Sequence, residues 1–77
     1  MDWRGHIEVD SAVLAGKPVI RGTRLAAEFI LELLAAGQTE ADLLEDYPRL
    51  TRDDIRACIG YGSHLAGKIR STRIDLR

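Results

Sequence analysis

The stretch GKPVIRGTR, residues 16–24, brings Lys17, Arg21 and Arg24 together with two glycines and a proline. Phosphate binding is the chemistry such a segment could do. A phosphate cradle needs a glycine-rich turn, a lysine and a Ser or Thr directly before a helix, so that amides and the helix dipole converge on the anion. Here Pro18 follows Lys17 and deletes an amide, and residues 18–24 separate Lys17 from the helical stretch opening at Leu25. The loop is therefore expected to shape the fold. Gly16 and Gly22 supply turns, while Lys17, Arg21 and Arg24 are surface groups or partners of acidic residues on the middle helices.

A second group with chemical potential is Arg52, Asp53, Asp54 and Arg56, at the start of the last helical stretch. The first turns of a recognition helix are where base edges are read. Arg52 and Arg56 can donate to bases or phosphates, and Ser63 lies on the same side. These three are the DNA-binding candidates. The two carboxylates are repelled by phosphate, although an acid can accept from cytosine N4. Thr51 with Asp54 as a helix cap is the simpler account of the acids.

Catalytic chemistry finds no support. His6 and His64 are far apart and lack metal-ligand spacing, and Ser11, Ser63 and Ser71 sit beside no evident base. Glu45–Asp46 and Asp53–Asp54 adjoin in sequence and diverge on a helix, so they read as solvated charges. Cys58, the one cysteine, reads as a buried, reduced residue. No catalytic residue, metal site, cofactor or enzymatic activity is expected.

Three helices must position these groups. LAAEFILELLAAG, residues 25–37, is rich in strong helix formers, with Thr23 placed to cap it and Gly37 to end it. Its polar stripe is only Glu28 and Glu32, which predicts a helix central to the core or shared between subunits. TEADLLEDYP, residues 39–48, starts with Thr39 and Asp42 in capping-box spacing and must end at Pro48. The third repeats the device with Thr51 and Asp54 and reaches about Lys68 or Arg70. Its apolar face is read as Ile55, Cys58, Ile59, Gly62, Leu65, Ala66 and Ile69.

The opposite face of that helix carries Asp53, Arg56, Gly60, Ser63, Gly67 and Arg70. Small residues flanked by arginines suit close approach to a DNA backbone or to another helix, and the pattern does not choose between them. Core packing at Gly62 and helix–helix contact at Gly60 would each offset the cost of glycine in a helix, up to ~1 kcal/mol.

Before the helices, HIEVD alternates, which predicts a strand with Ile7 and Val9 inward. SAVLAG predicts a single turn ending at Gly16, and KPVI an edge strand or extended segment. The expected fold is mostly α: a small helix–turn–helix domain, homeodomain-like or winged-helix-like, with three helices and a short N-terminal β element. Residues 1–77 form one domain. Residues 1–24 are the β element and motif loop, 25–69 the three-helix core with the helix–turn–helix at 39–69, and 70–77 a basic tail.

Charge divides unevenly along the chain. Residues 1–24 carry four basic and three acidic groups, residues 25–54 two and eight, and residues 55–77 five and one. The total of −1 hides an acidic middle and a basic end, which suggests an anionic partner near the C-terminus. At 77 residues, a core without staples is only marginally sufficient, so a homodimer is expected. No apolar run approaches the length of a membrane span, and MDWRGHIEVD lacks the apolar stretch of a signal peptide. A cytoplasmic protein is the expectation.

The combined strings GKPVIRGTRL and YPRLTRDDI resemble the small bacterial proteins of family 433 of the domains of unknown function, over roughly Ile7 to Tyr61. Gly16, Lys17, Pro18, Gly22, Thr23 and Arg24 match its first motif. Tyr47, Pro48, Leu50, Thr51, Asp54 and Ile55 match its second, and both look like architecture. The resemblance implies a compact helix–turn–helix-like dimer. It also implies, for some members, an antitoxin of a type II toxin–antitoxin system, similar to VapB-type proteins, paired with a PIN-like ribonuclease toxin.

On that basis the expected function is operator-DNA binding combined with toxin binding. Lys68, Arg70, Arg73 and Arg77 would approach the toxin's carboxylate-rich metal site. The alternative is a homo-oligomeric protein-interaction module without DNA binding, its acidic middle pairing with a neighbour's basic end.

Overall fold

The computed structural model describes residues 2–68. The fold is mostly α, with three helices and a two-stranded antiparallel β element, as the residue pattern predicts. Strand β1 is Ile7–Glu8 and β2 is Val19–Ile20, paired Ile7 with Ile20 and Glu8 with Val19. Helix α1 spans Ala27–Ala35, α2 Glu40–Asp46 and α3 Arg52–Gly67. Short 3-10 turns at Trp3–Gly5 and Leu14–Gly16 flank β1.

Local chemistry explains most helix ends. Thr39 accepts from the Asp42 amide while Asp42 accepts from the Thr39 amide, and Thr51 and Asp54 do the same for α3. Each pair satisfies two amides that a helix start leaves free. At the end of α1, Gly37 adopts φ +102°. Its amide donates to Leu34 O, and Gln38 donates to Leu33 O, the paired bonds of a Schellman stop.

The start of α1 departs from expectation. Thr23 does not cap the helix. Its Oγ1 donates to Ile20 O at 2.8 Å and accepts from the Leu25 amide at 3.0 Å, closing the turn that follows β2. Ala26 stands at the N-cap with no side chain to offer, and the Ala27 amide is met instead by Pro18 O at 3.0 Å. A carbonyl from the preceding strand segment thus supplies what a side chain was expected to supply.

The β element also differs in detail. Ile7 is buried but Val9 is 67% exposed, because β1 ends at Glu8 and the alternation has no sheet to act on beyond it. SAVLAG does turn and end at Gly16, but the turn is left-handed: Leu14 and Ala15 have φ +48° and +56°, before Gly16 at +83°. Left-handed backbone costs a non-glycine residue roughly 1–2 kcal/mol.

The core comprises Ile7, Ile20, Ala27, Ile30, Leu43, Leu50, Ile55, Ala57 and Cys58. Helix α1 buries only Ala27 and Ile30 completely, and Leu31, Leu33 and Leu34 are half-buried. Helix α3 buries Ile55, Ala57 and Cys58, whereas Ile59 is 49% exposed, Leu65 44%, and Ala66 is exposed too. The apolar face read from α3 therefore holds only in its first turns. Ala57, outside that face, is buried because the N-terminal segment covers α3 from a second side. Ile69 and the tail 70–77 lie outside the described residues.

Candidate nucleic-acid interface

Helix α3 is the second helix of a helix–turn–helix unit, joined to α2 by the turn 47–51. Arg52, Arg56, Ile59 and Ser63 are all exposed on it. Their spacing of four, three and four residues places them on one line along the helix. This stripe runs alongside the buried side made by Ile55 and Cys58. It contains all three DNA-binding candidates, with Ile59 between them.

Arg52 is not wholly free. Its Nε lies 3.5 Å from Glu40 Oε1 at the start of α2, both side chains partly in solvent. An exposed pair of that length contributes little, so Arg52 can exchange it for a stronger anion. Asp53 is exposed beside the stripe.

Three contacts hold α3 in place. Asp54 accepts from the Thr51 amide through Oδ2 at 3.1 Å and meets His6 Nδ1 through Oδ1 at 3.0 Å. One carboxylate therefore both caps α3 and ties it to the residue before β1. His6, read from the sequence as an outward residue of a strand, is instead a half-buried fastener.

The second contact is Trp3. A Cβ placed on Gly60 would lie 3.3 Å from Trp3 Cδ1, so the indole sits directly against the glycine backbone. Trp3 also packs edge-on to Tyr61 at 5.3 Å, rests near His64 at 5.3 Å, and has the Arg4 guanidinium 4.7 Å from its ring centre. Gly60 thus serves an internal contact. It does not open α3 to a flat partner or a neighbouring helix.

The third contact is Leu31 of α1, whose Cδ1 would lie 3.0 Å from a Cβ on Gly62. This is the core packing expected there. A Cβ on Gly67 would meet nothing within 4 Å.

The remaining candidates are dispersed. Gly16 and Gly22, at φ +83° and +82°, make the expected turns. Lys17 donates to Glu28 at 2.7 Å, and this bond raises the lysine pKa above its usual 10.5. That is the pairing with an acid of a middle helix expected for this loop. Tyr47 stacks edge-on against Phe29 at 6.0 Å, while Arg24 and Pro48 are exposed. Lys68 follows α3 as its exposed C-cap, and Arg70, Arg73 and Arg77 lie outside the described residues.

Cys58 is buried, and desolvation, with Asp54 adding, pushes its thiol up to about 12. That thiol stays protonated and poorly nucleophilic. No group of three or more His, Cys, Asp or Glu among the described residues could hold a metal ion. No helix among the described residues is long and apolar enough to cross a membrane. The sequence reading missed Trp3 and the second role of Asp54. A lone tryptophan beside a chain end and a histidine 48 residues from its partner give no periodic signal.

The fold and this helix define a small domain of helix–turn–helix type. The chain belongs to the family described as a protein of unknown function, DUF433, whose profile matches residues 7–62. The crystal structure of a DUF433 member from Anabaena variabilis ATCC 29413 is similar, with a TM-score of 0.76 and 27% identity. The match covers 86% of this chain and 65% of that one. None of the curated proteins compared with the chain matches it.

Proposed function

We propose that this domain is a DNA-binding antitoxin of a type II toxin–antitoxin pair. It acts as a dimer, reads operator DNA with α3 and holds a PIN-like ribonuclease through its basic C-terminal end. The observation that carries the DNA reading is the exposed line Arg52–Arg56–Ile59–Ser63 on the second helix of a helix–turn–helix. Arg52 and Arg56 reach guanine O6 and N7, Ile59 packs on a thymine methyl, and Ser63 donates to a base or phosphate. Ile59, half in water, adds one apolar group to a line of donors, the mixture that base edges and thymine methyls call for.

The acidic residues of α2, Glu40, Asp42, Glu45 and Asp46, repel phosphate and so restrict how the duplex can approach. Pairing two subunits presents two recognition helices to successive half-sites. Exposed Leu65 and half-buried Leu31 supply apolar surface for that pairing.

The test is binding of the purified chain to its own promoter fragment as salt is varied. Salt-dependent binding is expected, with Arg52→Ala and Arg56→Ala each costing about 1–3 kcal/mol and relaxing sequence preference. Unchanged affinity in both variants would remove these α3 contacts, and a wild-type chain that ignores the fragment at every salt concentration would remove the DNA role. For the toxin, deleting residues 70–77 is expected to abolish neutralisation with the fold intact.

A second reading, a homo-oligomeric module without DNA binding, is favoured by the exposure of Ile59 and Leu65. It is distinguished by self-association that proceeds while the promoter fragment is ignored at every salt concentration.

A further inference from the structure

A cleft of about 260 Å³ opens between the loop before α1 and the turn joining α2 to α3. Arg24 and Leu25 line one side, and Asp46, Tyr47, Pro48 and Arg49 the other. We propose that this cleft seats a phosphate and its sugar from the DNA strand flanking the bases that α3 reads, with Arg24 and Arg49 as the phosphate ligands. The inference rests on the DNA-binding reading above and assigns it two residues outside α3.

Arg49 lies on the turn that leads into Arg52, the first residue of α3. Its NH1 donates to Gly22 O at 3.3 Å, across 27 residues of sequence. That bond ties the loop carrying Arg24 to the turn carrying Arg49, so both arginines border one cleft beside the N-terminal end of the recognition helix. Phosphate contacts from elements beside a recognition helix are what set its register on the duplex.

Both arginines also keep donor capacity unspent. Arg24 is exposed and makes no hydrogen bond or ion pair among the described residues. A guanidinium offers five N–H donors, and Arg49 spends one of them on Gly22. Neither arginine is needed to neutralise a buried acid, since no charged residue is buried among those described.

The floor decides what kind of phosphate fits. Leu25, Tyr47 and Pro48 give the cleft an apolar base, with Arg24 and Arg49 among its other lining residues. A free inorganic anion gains nothing from such a base, whereas a deoxyribose packs against it. Asp46 is the one carboxylate on the cleft and opposes the phosphate, leaving a net single positive charge.

The experiment measures binding of the full chain to its promoter duplex and to a scrambled duplex of equal length. Salt is varied between about 50 and 200 mM, the range in which phosphate contacts dominate the change in affinity. Arg24→Gln and Arg49→Gln are each expected to weaken both duplexes by the same factor and to shallow the log–log salt slope by about 0.9. Arg49→Lys should recover most of the slope, because a lysine still supplies the point charge. Asp46→Asn should tighten both duplexes equally.

Arg24→Gln removes no intramolecular bond, so its result is independent of folding. Inorganic phosphate added at constant ionic strength should not compete. Competition would assign the cleft to a free anion and overturn the proposal. A wild-type chain that binds salt-dependently while Arg24→Gln and Arg49→Gln keep its slope overturns it and leaves the α3 reading standing. A wild-type chain that binds neither duplex overturns both.

Discussion

Removing the Asp54 carboxylate tests whether one side chain joins the two halves of the domain. In Asp54→Ala, the Thr51 amide loses its acceptor at 3.1 Å and His6 Nδ1 loses its partner at 3.0 Å. Loss of a helix cap costs typically about 1 kcal/mol. A half-buried side-chain hydrogen bond contributes about another 1 kcal/mol. The sum of ~2 kcal/mol corresponds to a fall in Tm of about 10 °C for a domain of this size.

Thr51→Ala removes only the cap oxygen facing the Asp54 amide, so about 1 kcal/mol is expected. The decisive measurement is a double-mutant cycle by urea denaturation with His6→Ala. Coupling of about 1 kcal/mol between His6 and Asp54 is expected, since the residues touch. Strict additivity, with Asp54→Ala costing no more than Thr51→Ala, would show that the β element is not fastened to α3 through this contact.

Two further perturbations probe α3. Gly60→Ala drives a methyl to 3.3 Å from Trp3 Cδ1, so thermal melts should show net destabilisation and Trp3 fluorescence should shift. Gly67→Ala enters open space and should be neutral or stabilise by up to ~1 kcal/mol; the opposite order would mean that Trp3 is not seated on Gly60. Cys58 should resist alkylation in the native state and react on unfolding. Burial holds its folded pKa at about 12 against the ordinary 9.0. The folded chain keeps the proton while the unfolded chain loses it, so this group lowers stability as pH rises from 9 toward 12. The gap between the urea midpoints of wild type and Cys58→Ala should narrow across that window as the wild type alone loses stability, and parallel curves would refute the assignment.

Much of the frame was legible from the residues because its causes are local. Thr39 with Asp42 and Thr51 with Asp54 act across three residues, and Gly37 stops α1 because glycine alone takes φ +102° without strain. Arg52, Arg56 and Ser63 could be placed on one side of α3 by counting alone. Where the reading failed, a distant segment had intervened. Pro18 O replaced the expected Thr23 cap, and Trp3 covered Gly60. Burial of Ala57 and exposure of Ile59 and Leu65 moved the α3 face.

The amino-acid order alone determined the helices, their ends other than the start of α1, and the acidic middle and basic end, since these follow from interactions within a turn or from composition. Only the tertiary structure decided which side of α3 stays open, that His6 fastens Asp54, and that Arg24 and Arg49 share a cleft. Each of those depends on groups brought together from far along the chain. Their distance in space is set by packing, which no short-range pattern encodes.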